Sequence, residues 1–275
     1  MSPNYNNPWR EKEERKMKAR RVYDYMAVRF KEQTADSVRR TIHYRISNCN
    51  KLFQLQKAPG AKLPDVGIIQ AETVTASFIA ASSHKGKIAI LNFASYKNPG
   101  GMFLEGSIAQ EESLCHASNL YNILSDERFA YEFYGPNGKR LNRGLYGDNL
   151  LYTPDVVFFM NKKDRMFDVI TAAAPNKGVA QKYQNVSDQE CSAAMRERIR
   201  HVLLAAINNN VDVLILGAFG CGVFKNDPRE VAEIFREELI GCPFTAIFAI
   251  PGEKYKIFRD VFSDGYTPVS AQNAL

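Results

Sequence analysis

Long apolar runs are missing from this 275-residue chain: no stretch approaches the roughly 20 residues that a membrane-crossing helix needs. Cysteine is scarce and scattered. The five cysteines (Cys49, Cys115, Cys191, Cys221 and Cys242) are odd in number and nowhere spaced Cys-x-x-Cys, which argues against a disulfide framework and against a zinc site. His43, His84 and His201 show no metal-ligand spacing either, so no metal and no cofactor is expected. Absent too are the Walker order Gly-x-x-x-x-Gly-Lys-Ser/Thr, the Rossmann order Gly-x-Gly-x-x-Gly, any internal repeat and any low-complexity tract. The opening residues are too charged for a secretory signal, and the expectation is a cytoplasmic protein with reduced thiols.

What is present is the composition of a folded domain. Hydrophobic residues make up 45% and charged residues 24%, and 17 Phe with 13 Tyr supply ample apolar surface, which excludes overall disorder. The net charge of +6 is unevenly placed. Residues 1–45 carry 12 Lys/Arg against 6 Asp/Glu and so hold all of it, while residues 46–275 carry 24 of each. A basic leading segment can bind a polyanion by counterion release. The interleaving of Glu11, Glu13 and Glu14 with Lys12, Arg15 and Lys16 instead favours a solvated helix face, and no DNA binding is expected.

Along the chain, residues 1–8 are polar and expected to fray, and residues 9–45 read as one amphipathic helical stretch. The breaker cluster at 58–65 suggests an N-terminal helical extension over 1–57 packed on a core over 58–275. In that core, apolar runs at 66–69, 88–93, 156–160, 167–171, 211–216 and 244–250 read as strands. Helical patterns lie between them near 72–82, 107–124, 188–208 and 228–240. Near-continuous β-rich runs are strands buried on both faces, so the fold class is α/β with a mainly parallel sheet covered by helices.

Two strand-to-helix transitions carry the chemistry. After Ile88–Phe93 comes Asn98-Pro99-Gly100-Gly101-Met102 and then Gln110-Glu111-Glu112, a flexible turn leading to an acidic helix start. After residues 211–216 comes Gly217-Ala218-Phe219-Gly220-Cys221-Gly222-Val223-Phe224, closed by Asp227-Pro228 as N-cap and first helical residue. Such a loop offers backbone N–H groups to an anion. In a parallel α/β sheet both loops leave the carboxyl ends of strands, where ligands bind. A phosphate cradle facing an acidic pair suits a phosphorylated sugar whose glycosidic carbon needs acid assistance.

On these residues the chain resembles the microbial type of poly(ADP-ribose) glycohydrolases, built on the macrodomain fold. The family signature of three glycines, six to eight residues and Gln-Glu-Glu is matched by Gly100-Gly101-Met102, seven residues and Gln110-Glu111-Glu112, with Met102 standing at the third glycine. Further likeness lies in Gly144-Leu145-Tyr146, the runs 152–156 and 170–176, and the whole 217–228 block, in order over roughly residues 65–260. The resemblance implies a three-layer α/β/α macrodomain with a mixed, mainly parallel sheet. It implies Glu112 as acid/base, Glu111 on hydroxyls of the reacting ribose, and Gln110 as an anchor of the loop. It implies Gly100, Gly101 and Met102 as the diphosphate-side loop, Gly220, Cys221, Gly222, Val223 and Phe224 as the second diphosphate loop, and Asn98 beside the ribose.

The implied substrate is poly(ADP-ribose), with ADP-ribose as product and ADP-ribosylated proteins as further partners. Adjacent residues on a helix point about 100° apart, so Glu111 and Glu112 divide their labour instead of facing each other across one bond. A protonated Glu112 would donate to the departing ribose oxygen, and the substrate's own diphosphate would stabilise the oxocarbenium ion. A left-handed backbone at the third signature position would put strain on Met102. The alternatives are a non-catalytic ADP-ribose reader and a hydrolase of mono-ADP-ribosylated targets. Local rules make Cys221 a packing residue, and make Phe129, Phe133, Tyr121, Tyr131 and Tyr134 a core cluster before an adenine-stacking wall.

Overall fold

A computed structural model describes residues 8–45 and 60–263. Of the frayed segment expected over 1–8, residues 1–7 lie outside the described residues and Pro8 is instead the first residue of a helix; the boundary expected between 57 and 58 also lies outside them. In chain order the elements are α1 (Pro8–Arg29), α2 (Lys31–Arg40), β1 (Ile42–Tyr44), β2 (Val66–Ile69), α3 (Thr73–Ser83) and β3 (Ile88–Phe93). Then follow α4 (Gln110–His116), α5 (Leu120–Leu124), short helical turns between Glu127 and Gly144, β4 (Leu150–Met160) and β5 (Lys163–Ala172). The rest is α6 (Lys177–Gln184), α7 (Asp188–Asn208), β6 (Val213–Leu216), α8 (Pro228–Glu238), β7 (Thr245–Ala249) and α9 (Lys254–Phe262).

The seven strands form one sheet in the order β1-β4-β5-β3-β6-β7-β2. The pairs β1–β4 and β4–β5 are antiparallel, and the four pairs from β5 to β2 are parallel. The sheet is therefore mixed and mainly parallel, and helices cover both of its faces, as the apolar runs imply. Alternation along β3 shows the division. Ala89 and Leu91 face one cluster, with Ile199 and Val202 of α7, Phe235 of α8 and Phe258 of α9. Ile88 and Ile90 face the other, with Ala76 and Ala80 of α3, Leu114 of α4 and Ile123 of α5. Each fully buried Val, Leu, Ile or Phe among them contributes about 1.5–3 kcal/mol relative to an exposed one.

The single helix expected over 9–45 is corrected in two places. It breaks at Phe30, whose φ of −119° and ψ of 34° are not helical. That residue is buried with Met26 against Val157 of β4, and turning the chain there lets α2 run along β4. After Thr41 the chain becomes extended, and Ile42–Tyr44 pairs with Leu150–Tyr152. An open sheet edge thus outweighs the helical pattern.

The helix expected over 107–124 is likewise two. Glu112 reaches back to the Ala109 N–H at 3.0 Å, which starts α4 at Gln110 instead of 107. The chain then leaves helical form at Ala117–Asn119, where it pairs with the edge of β4: Phe159 N–H donates to Ala117 O at 2.8 Å and Val157 N–H to Asn119 Oδ1 at 2.9 Å. β4 and β5 are longer than their apolar runs because a tight turn at Asn161-Lys162, both left-handed, joins them as a hairpin.

Candidate active site

β3 and β6 pair in parallel register, Ile88 with Val213 and Ile90 with Ile215. Their carboxyl ends therefore release the two glycine-containing loops side by side, which is where a ligand crevice forms in such sheets. A cleft of about 840 Å³ opens there. Gly101, Met102, Gln110, Glu111 and Glu112 line one side, and Gly220, Cys221, Gly222, Val223 and Phe224 line the other. Asn98 and Gly100 do not line it. Asn98 is exposed, and its carbonyl accepts from Gly101 N–H at 3.1 Å. Gly100 is left-handed at φ +63°, and a Cβ there would lie 2.5 Å from the Tyr121 ring, so this glycine answers to packing under the loop.

The first three residues of α4 are each tied to a different support. Gln110 prolongs β3: its Oε1 accepts from Phe93 N–H and its Nε2 donates to Leu91 O, both at 2.9 Å. Glu111 turns to the end of β3 and the chain just beyond it, where its oxygens accept from Asn92 Nδ2 at 3.1 Å and from Ser95 N–H at 2.7 Å. Glu112 turns to the loop and accepts from Met102 N–H at 2.9 Å as well as from Ala109 N–H.

Both carboxyls are nonetheless buried beside one point. A Cβ on Gly101 would lie 2.5 Å from Glu112 Oε1 and 3.1 Å from Glu111 Oε2. Only a residue without a side chain leaves that point open, and Gly101 also has φ +64°. Burial raises the Glu111 carboxyl to about 8, against the pull of the Ser95 N–H and the Asn92 amide, and the charge of Glu112 adds to the rise. Glu111 is therefore largely protonated at neutral pH. Asn92 Oδ1, buried next to it, has no hydrogen-bond partner among the described residues.

Met102 is not left-handed, so the strain foreseen for a side chain at the third signature position does not arise. Its N–H serves Glu112, its carbonyl accepts from Glu105 and Ser107, and its side chain stands half-exposed at the cleft mouth.

Across the cleft the second loop is fixed from behind. Asn226 Nδ2 donates to Pro175 O at 2.8 Å and to Gly220 O at 3.0 Å. Gly220 is left-handed, and a Cβ there would lie 2.6 Å from Ala174 and from Asn226. Gly222 differs: its Cβ position meets nothing within 4 Å, so protein packing does not demand a glycine there. The N–H groups of Gly222, Val223 and Phe224 make no hydrogen bond within the described residues. The N-cap of α8 is filled by Asp227, which accepts from Arg229 and Glu230 N–H at 2.9 Å. The unpartnered N–H groups on this side are consequently loop amides and not the helix end. Cys221 is buried, its thiol pushed up to about 12 by burial, which makes it inert as a nucleophile at neutral pH.

The aromatic cluster singled out from sequence lies elsewhere. Phe129, Phe133 and Tyr134 are core, Tyr131 is exposed, and none of the five lines the cleft. The cleft aromatics are Phe93, Tyr96, Tyr146, Phe219 and Phe224. Tyr146 stacks on Tyr96 with ring centroids 4.3 Å apart and meets the edge of Phe224 at 6.0 Å. It is held at φ +64°, a costly conformation for a bulky residue, and Gly147 N–H donates to Tyr96 Oη at 2.9 Å. Sequence reasoning missed Tyr96 and Tyr146 as site residues, although the Gly144-Leu145-Tyr146 run carried the family likeness.

Among the described residues no group of His, Cys, Asp and Glu could hold a metal ion, and no helix is long and apolar enough to cross a membrane. The family model described as the catalytic domain of microbial-type poly(ADP-ribose) glycohydrolase matches residues 14–161. The poly(ADP-ribose) glycohydrolase of Thermomonospora curvata is similar in structure, with TM-score 0.81 and 28% identity over 91% of this chain and 100% of that one. The same enzyme bound to the inhibitor ADP-HPD gives TM-score 0.78 and 28% identity over 90% and 99%. That of Deinococcus radiodurans in complex with ADP-ribose gives TM-score 0.75 and 32% identity over 85% and 98%. No curated protein sequence matches the chain. With more than half of its residues under that family model, and with its sheet, its paired loops and its Gln-Glu-Glu helix start in place, the chain belongs to the microbial-type poly(ADP-ribose) glycohydrolases, a family of glycosidase-type hydrolases.

Proposed function

We propose that this chain hydrolyses the ribose–ribose O-glycosidic bonds of poly(ADP-ribose) and releases ADP-ribose, with Glu112 as general acid and base. The observation that carries this is the convergence of two buried carboxyls on Gly101, opposite three loop amides that have no partner among the described residues. Glu112, given a proton from solvent as the substrate's diphosphate comes to lie beside it, passes that proton to the departing ribose oxygen as the anomeric C–O bond breaks. The oxocarbenium ion is stabilised by the substrate's diphosphate, which the N–H groups of Gly222, Val223 and Phe224 hold. Water then adds to the anomeric carbon and returns a proton to Glu112.

Glu111, neutral below about pH 8, binds a ribose hydroxyl without adding a second negative charge beside the diphosphate. Gln110 anchors the helix start to β3, and the site needs no cofactor. The free thiols of Cys115, Cys191, Cys221 and Cys242 support a reducing compartment, the cytoplasm.

The test is end-point hydrolysis of purified poly(ADP-ribose), with free ADP-ribose resolved by chromatography and Glu112→Gln run in parallel. Wild type should release ADP-ribose, and the variant should lose at least about a thousandfold in kcat while its ADP-ribose Kd stays within about threefold. A wild type that binds ADP-ribose and releases none from the polymer would instead be a reader or would act on mono-ADP-ribosylated targets.

A further inference from the structure

We propose that helix α1 is a strut for the loop that carries Met102, and that Arg15 is a positioning residue for Glu112; this rests on the role given to Glu112 above. Part of the basic opening segment is engaged in ion pairs, while Lys12, Lys18, Arg20 and Arg21 stay exposed. Arg10 pairs with Glu14, Arg15 with Glu11, and Lys16 with Glu13 and Glu105. What the helix does contact is the far side of the Met102 loop. Arg15 Nε donates to Gly106 O at 2.8 Å, a charge-assisted bond between residues 91 positions apart. Gly106 is left-handed at φ +75°, and a Cβ there would lie 2.9 Å from Lys12 O, so the helix backbone sits directly on this glycine.

The contact leads to the carboxylate in three hydrogen-bonded steps. Gly106 N–H donates to Phe103 O at 3.1 Å, and the neighbouring Ser107 N–H donates to Met102 O at 3.2 Å, which closes residues 102–107 into one compact turn. Met102 N–H then donates to Glu112 Oε1. A second buttress stands beside the first: Tyr23 of α1 meets the Tyr121 ring at 5.5 Å, and Tyr121 packs at 5.0 Å on Phe103, which is buried beneath the loop. Arg15 touches neither the cleft nor either carboxyl. Its effect on Glu112 passes through the position of the Met102 amide.

The full chain with Arg15→Met is compared with wild type and with Arg15→Lys by amide hydrogen exchange over residues 100–107 and by turnover of poly(ADP-ribose). Rates are normalised to the number of ADP-ribose-binding sites. Arg15→Met should speed exchange of the Met102 amide and lower kcat about tenfold, with KM and ADP-ribose Kd within about twofold, and Arg15→Lys should recover most of the loss. A lowered melting temperature with an unchanged rate per binding site would make Arg15 merely structural and overturn the proposal. Unchanged exchange at Met102 would overturn it as well. Should Met102 exchange respond while wild type itself releases no ADP-ribose, the strut stands and the hydrolytic reading falls. Gly106→Ala, which drives a Cβ against Lys12 O, gives the same loop displacement from the other partner and should show the same split between kcat and KM.

Discussion

The main-chain N–H of Met102 donates to Glu112 Oε1 at 2.9 Å, so the residue that replaces the third signature glycine holds the carboxylate through its backbone. Its side chain is free to vary because the backbone is not left-handed. The preceding position has no such freedom. Gly101→Ala puts a methyl where Glu112 Oε1 and Glu111 Oε2 converge, on a backbone at φ +64°. We expect a loss of about a hundredfold in kcat from displacement of Glu112, with the chain still folded by circular dichroism. Near wild-type turnover would show that the carboxyls can move aside without consequence.

Gly222 tests the opposite side. A Cβ there meets no protein atom within 4 Å and the residue is not left-handed, so Gly222→Ala should leave the melting temperature unchanged. If the neighbouring amides hold the diphosphate, the added methyl stands in the ligand's way, and the ADP-ribose Kd should rise about tenfold. Calorimetric titration showing an unaltered Kd would remove the loop from the binding site.

Glu111 makes stability depend on pH. Its folded pKa is raised from 4.5 to about 8, so the folded chain keeps a proton that the unfolded chain gives up. This contribution is complete below the unfolded value and is lost as pH climbs through the folded one. Glu111→Gln has no proton to lose, and the buried Asn92 amide can turn its unpartnered Oδ1 to the new N–H. The variant should therefore gain on wild type in melting temperature between about pH 5 and 9, by several degrees. Parallel pH curves for the two proteins would place the Glu111 pKa back in the ordinary range.

Cys221 lies within the cleft loop yet should resist chemistry. With its thiol pushed up to about 12, alkylation by iodoacetamide at pH 8 should run at least about a hundredfold slower than for a free thiol, as followed by mass spectrometry of the intact chain. Fast modification of this residue would show that the loop opens in solution.

Much of the core was legible because buried strands leave a local mark. Ile88–Phe93 and Asp188–Asn208 fall where the apolar and helical patterns put them, and Asp227-Pro228 opens α8 as the N-cap rules require. Elements whose form depends on a distant partner were not legible. Ile42–Tyr44 has no strand of its own without the edge of β4, and the break at Ala117–Asn119 exists because Phe159 and Val157 bond to it.

The same division holds for the site. The order of residues alone determined that a flexible turn would precede Gln110-Glu111-Glu112 and that a glycine-rich loop would follow β6, because glycine spacing and strand ends are local features. Which carboxyl burial would shift, whether Met102 would be strained, that Gly100 packs against Tyr121, and that Tyr146 rests on Tyr96 were decided only by the tertiary structure. Desolvation, steric closeness and ring stacking each depend on atoms brought together from far along the chain, and no local pattern contains them.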